Sequence, residues 1–178
     1  KKKKSSMAKR TAWNYVKEYT GVLPDVTYHE TELRADLPNG ARIQLLGCER
    51  PDSLRGLYID GVVLDEVAQM PPRLWTEVIR PALSDREGFM IAIGTPQGHN
   101  SFHQLYDHAL HQDDWYAETF KASTTNIISE LELNEARALM PEEIFEAEFE
   151  CSFDSSAIGS IYSKGIAKAE EEKRITKP

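Results

Sequence analysis

Apolar and polar positions along the chain keep two rhythms and switch between them several times. Residues 8–19, AKRTAWNYVKEY, repeat at helical spacing, with Ala8, Ala12, Tyr15, Val16 and Tyr19 on one stripe. A helix is predicted there, closed by Thr20-Gly21. TELRADL and ARIQLLG alternate around Pro38-Asn39-Gly40, which predicts a β-hairpin. GVVLDE and FMIAIGTP are continuous apolar runs, each expected to be a strand buried on both faces. Between them Pro71-Pro72 open a predicted helix, because proline at a first helical position gives up no needed donor, and Pro81 is expected to stop it. NSFHQLYDHALHQ predicts another helix with Phe102, Leu105, Tyr106 and Leu110 on one side, and WYAETFKA a third strand. Beyond Ser129, two short acidic amphipathic helices are predicted, split by Pro141.

Strands alternating with helices imply an α/β fold with a parallel sheet. Ligands in such sheets sit beyond the carboxyl ends of the strands. Here those ends carry Asp65-Glu66 and Gly94-Thr95, so two strands deliver polar groups to one expected edge.

Composition narrows the class. The 178 residues suit one domain with an appended piece, and 40% hydrophobic residues exclude a disordered chain. No apolar run is long enough for a membrane span or a signal core. Cys48 and Cys151 fit no metal-ligand spacing, and a reduced, cytosolic setting is the simpler reading. The net charge of −8 argues against a surface that grips phosphate backbone throughout. The opening KKKKSSMAKR carries six positive charges and no negative one, however, and reads either as a nucleic-acid contact or as a solvated tail.

The strand tips carry the candidate chemistry. A carboxylate at Asp65 suits the Mg²⁺ that bridges terminal phosphates, and Glu66 beside it suits the polarising of an attacking water. Adjacent strand residues face opposite ways, which would separate the two roles. About thirty residues on, Gly94 allows close backbone approach and the Thr95 hydroxyl suits a phosphate oxygen or the lytic water. Arg55, in SLRGL, suits neutralising charge during phosphoryl transfer, in cis or from a neighbouring subunit; it equally suits a loop arginine paired with an acid. The expected partner of this chemistry is G-x-x-x-x-G-K-[ST]. No glycine here precedes a lysine, and Gly56/Gly61, at the right separation, run into Val62-Val63.

The combination LRGL…VVLDE…IRPAL…IGTP resembles the large terminase subunit of tailed bacteriophages, densely over about 70 residues and more weakly elsewhere. The resemblance implies a P-loop (ASCE-type) NTPase domain, incomplete over residues 1–152, with residues 153–178 bridging towards a nuclease domain. It implies ATP and Mg²⁺ as cofactors, with Asp65 holding Mg²⁺, Glu66 catalytic, Gly94-Thr95-Pro96 coupling nucleotide state to motion, and Arg55 acting on a neighbour's nucleotide. The implied partners are double-stranded DNA, a portal protein, a small terminase subunit and further copies in a ring, in the host cytoplasm. The phosphate loop would precede AKRTAW and the nuclease would follow Pro178. Another ATPase of helicase type, or a non-catalytic interaction module derived from an ATPase, are the alternatives.

Four histidines (His99, His103, His108, His111) lack the spacing of a zinc site. Trp13, Trp75 and Trp115 lie on amphipathic segments and are expected in packing rather than base stacking. The glutamates of 142–150 are expected on a solvated helix face.

Overall fold

The computed structural model describes residues 2–154, Ala169 and Arg174. Apart from Phe153, Asp154 and those last two, the bridge expected over 153–178 lies outside the described residues. The chain divides after Arg55 into two compact units.

The first unit sets one helix on a small antiparallel sheet. Helix α1 (Lys2–Thr20) ends where the Gly21 amide returns to the Lys17 carbonyl at 2.8 Å. Strands β1 (Thr27–His29), β2 (Arg34–Asp36) and β3 (Arg42–Gln44) pair in that order, Tyr28 opposite Ala35 and Ala35 opposite Ile43. The hairpin between β2 and β3 forms as predicted. Gly40 supplies φ 84, and the Leu37 amide donates to the Ala41 carbonyl at 2.8 Å. Strand β1 was not predicted.

The buried face of α1 differs from the predicted stripe. Trp13 is buried and Thr20 nearly so, while Tyr15 and Tyr19 are exposed and stack on each other. The reason is partner choice. The Trp13 indole donates to Glu30 Oε2 at 2.7 Å and meets the Tyr28 ring edge-on at 6.0 Å. The Thr20 hydroxyl donates to the Val16 carbonyl (2.6 Å) and lies 3.0 Å from that of Tyr28. Indole brings more area inward than phenol and finds its polar partner there. On the other sheet face Asp36 sits among Arg34, Arg42 and His29. The hydrogen bond from Arg42, helped by the charge of Arg34, holds its carboxyl below the usual range.

The second unit is built on two parallel strands, β4 (Gly61–Asp65) and β5 (Phe89–Ile93), paired from Gly61–Phe89 to Asp65–Ile93. The crossover runs through a short 3₁₀ turn (Val67–Gln69), a π-helical turn (Trp75–Ile79) and helix α2 (Arg80–Ser84). Leu64, Val67, Leu74, Val78, Ile79 and Leu83 form its core, each contributing roughly 1.5–3 kcal/mol by burial. Pro81 does not stop the helix; it lies in the first turn of α2, where no amide donor is needed. The π turn before it, closed by the Arg80 amide on the Trp75 carbonyl, gives the ring room a regular turn would deny.

Two further expectations are corrected. Only one face of β4 and β5 is covered among the described residues: Leu64 is buried, whereas Val63 (59%) and Phe89 (61%) are exposed with Ile91 and Ile93. The crossover packs on the Leu64 side alone. WYAETFKA has alternate residues half-buried, but no strand among the described residues hydrogen-bonds to it, so it does not form the expected strand there. Helix α3 (Ser101–Leu110) precedes it, and α4 (Ala122–Thr125), α5 (Glu130–Leu139) and α6 (Glu142–Glu148) follow. Helices α5 and α6 meet at Pro141 as predicted. Phe145 of α6, 1% exposed, stacks on Phe149 and carries the Arg137 guanidinium on its ring.

Candidate functional site

The parallel register decides what meets at the tips. Asp65 lies opposite Ile93, so Glu66 and Gly94 leave the sheet side by side. A Cβ on Gly94 would stand 3.1 Å from the Val67 nitrogen and 3.2 Å from the Glu66 Cα, and the residue has φ 156. Glycine is therefore what lets the two tips close. Glu66 itself is left-handed, φ 61 and ψ 44, a conformation L residues avoid. Its carbonyl accepts from the Gln69 amide at 2.9 Å and its carboxylate from Gln69 Nε2 at 3.1 Å. This turn, rather than strand alternation, separates Glu66 from Asp65.

Asn100 braces the turn. Its side-chain oxygen caps α3 by accepting from the Phe102 and His103 amides, and its Nδ2 donates to the Ala68 carbonyl at 3.2 Å. Thr95 is half-buried ahead of the buried Pro96, and its hydroxyl donates to Glu148 Oε2 of α6 at 3.2 Å.

The carboxylates of Asp65 and Glu66 are both exposed. Among the described residues no three His, Cys, Asp or Glu converge to hold a metal unaided. Two adjacent carboxylates nevertheless suit Mg²⁺, which takes one or two of them and fills its shell with phosphate oxygens and water. Cys48 and Cys151 are free thiols, both pushed up chiefly by burial, so neither is poised as a thiolate ligand or nucleophile.

A family described as terminase large subunit, T4likevirus-type, N-terminal, matches residues 8–164. The chain belongs to this terminase family. The large terminase subunits of Thermus phage G20c and Thermus virus P23-45 are each 47% identical to it over 58 residues, which is 33% of this chain. The match spans 12% of the length of those curated relatives. The large terminase ATPase domain of Thermus phage P74-26 superimposes with TM-score 0.65 at 25% identity, covering 78% of this chain and 67% of that domain. A point variant of that domain, 22% identical, gives 0.70 over 86% and 74%, a likeness of fold. The α/β architecture of this terminase chain is thus that of a P-loop NTPase domain, as expected.

Of the residues singled out in the sequence, the structure brings together Asp65, Glu66, Gly94 and Thr95. Arg55 lies in the other unit, just after a 3₁₀ turn (Pro51–Leu54), with its Nε donating to Asp52 Oδ1 at 3.0 Å. The tryptophans are packing residues: Trp13 is buried, and Trp75 meets Trp115 edge-on at 6.4 Å. His99 and His103 stack at 4.3 Å, and His99 pairs with Asp154. Of the glutamates over 142–150, Glu142 and Glu148 are exposed, as expected, and Glu143, Glu146 and Glu150 are half-buried; Glu148 bonds Thr95, Glu146 lies 4.0 Å from Arg137, and Glu150 accepts from Ser123. Gln69, Asn100 and Glu148 are the site residues that sequence reasoning missed. Only Asn100 carried a signal, as a capping residue ahead of an amphipathic helix.

Proposed function

We propose that this chain carries the water-activating and magnesium-holding strand of a phage DNA-packaging ATPase. In the complete motor, ATP hydrolysis drives double-stranded DNA into proheads. What supports the reading best is the meeting of Asp65, Glu66, Gly94 and Thr95 at one edge of the β4–β5 pair, within a terminase fold. Asp65 would hold Mg²⁺, which supplies charge neutralisation for the transferring phosphoryl group. Glu66 orients and polarises the attacking water, held in place by its left-handed turn and by Gln69. Gly94-Thr95-Pro96 links the tip to α6 through Glu148. Arg55 serves a neighbouring subunit's nucleotide in a ring, alongside portal and small-subunit partners, in the host cytoplasm. Residues 1–152 are the ATPase portion and 153–178 the bridge.

The test uses the intact large subunit carrying this sequence. Glu66→Gln lowers ATP turnover at least about a hundredfold, the lower end for loss of a positioned base, and Asp65→Ala raises the Mg²⁺ requirement. The present chain alone, which has no glycine followed by lysine, hydrolyses ATP negligibly. Steady Mg-dependent turnover by this chain, lost in Glu66→Gln, would refute that last statement. Undiminished turnover in the intact Glu66→Gln subunit would refute the site.

A further inference from the structure

We propose that Glu148 is a positioning residue that turns the Thr95 hydroxyl into a pure hydrogen-bond acceptor towards the nucleotide, so that Thr95 holds the attacking water and not a phosphate oxygen. The inference rests on the reading of the strand tips given above. A threonine hydroxyl has one proton and two lone pairs, while a carboxylate oxygen accepts and cannot donate. In the 3.2 Å contact the proton therefore belongs to Thr95 and points at Glu148 Oε2. What remains on the hydroxyl is lone pairs. A phosphate oxygen offers only lone pairs in return, whereas a water offers protons.

The backbone at both ends of the contact is held, while the Glu148 side chain itself is exposed. Pro96 follows Thr95 and is buried, which confines the Thr95 backbone to extended geometry. Glu148 closes α6, anchored by buried Phe145, by the Phe149 ring stacked 5.0 Å from it, and by the Ala122 amide on the Phe149 carbonyl at 2.7 Å. Gly94, one residue before Thr95, abuts the Glu66 backbone, so the two groups that would handle the same water are set by one close contact.

The experiment measures kcat and the ATP dissociation constant in the intact large subunit. Glu148→Ala and Thr95→Val each lower kcat about tenfold, the loss of one hydrogen bond, and leave ATP affinity within about twofold because no phosphate contact is removed. The double variant falls no further than either single, since both remove one bond. Glu148→Gln, whose amide oxygen still accepts, recovers much of the loss. Glu142→Ala, exposed on the first turn of the same helix, behaves as wild type. Multiplying losses, weaker ATP binding with kcat intact in Thr95→Val, or wild-type kcat in Glu148→Ala each overturn the proposal. Glu66→Gln separates the failures. If it still turns over, the reading of the site falls; if it is dead while Glu148→Ala is normal, only the role of Glu148 falls.

Discussion

Backbone strain and proposed chemistry coincide at Glu66, and this yields a prediction with an unusual sign. Replacing an exposed alanine by glycine normally costs about 0.5–1 kcal/mol, because glycine loses more freedom on folding. Glu66 sits at φ 61, ψ 44, where an L residue is disfavoured by about 1–2 kcal/mol and glycine is not. Glu66→Ala and Glu66→Gly lose the same contact with Gln69, so comparing the two variants isolates the backbone. The strain relieved exceeds the extra ordering cost, and Glu66→Gly is expected to be the more stable by about 0.5–1 kcal/mol. For a chain of this size that is roughly 1–4 °C in Tm. Asp85 gives the control. It is exposed and right-handed, φ −66 and ψ −21, so alanine should outperform glycine there by about 0.5–1 kcal/mol. Urea unfolding and thermal melts of the four variants settle the order. A Glu66→Gly protein no more stable than Glu66→Ala would refute the reasoning, and with it the view that strain is stored at the tip. In the intact subunit both Glu66 variants lose ATP turnover, so the more stable of the two gains nothing in function.

Three other outcomes follow from the geometry. Gly94→Ala should destabilise by about 1–3 kcal/mol, because the added carbon presses on the backbone of Glu66 and Val67; urea unfolding measures it, and a neutral result means the turn yields. Asn100→Ala removes the α3 cap and the bond to Ala68 together, with an expected loss of about 1–2 kcal/mol in the same assay, against no loss if water replaces both. Asp36 has a carboxyl held below its ordinary 3.8, first by the Arg42 hydrogen bond. A depressed folded value contributes stability above the unfolded pKa and loses it as pH falls through the folded one. The stability gap between wild type and Asp36→Asn should therefore narrow as pH drops from about 5 towards 2, and a gap independent of pH would refute the pairing.

Much of both units was legible because the signals are local. VVL and FMIAI are short branched runs that commit to strands wherever they lie, and about thirty residues between them leave room for one crossover and a parallel pair. Asn39-Gly40 dictates its own turn, and Ser129 and Pro141 punctuate α5 and α6 within a few residues. That Asp65-Glu66 and Gly94-Thr95 would reach one edge was legible to the same depth, because a parallel pair joined by one crossover brings both carboxyl ends together.

Whatever depended on distant partners was not legible. WYAETFKA has strand composition, but a strand exists only as part of a ladder with a neighbouring strand, and no strand among the described residues pairs with it. Which stripe of α1 turns inward was decided by Glu30 and Tyr28, beyond the helix itself. Glu148 lies 53 residues from Thr95, and nothing in PEEIFEAEFE marks that glutamate from its neighbours. Glu66 is a residue with no preference for the left-handed region, so only the closing of β4 on Gly94 reveals its strain. By itself the sequence determined the chemical groups, the strands that carry them and their order. Tertiary structure decided their orientation, because a hydroxyl's proton and a turn's handedness answer to atoms that are neighbours in space and strangers along the chain.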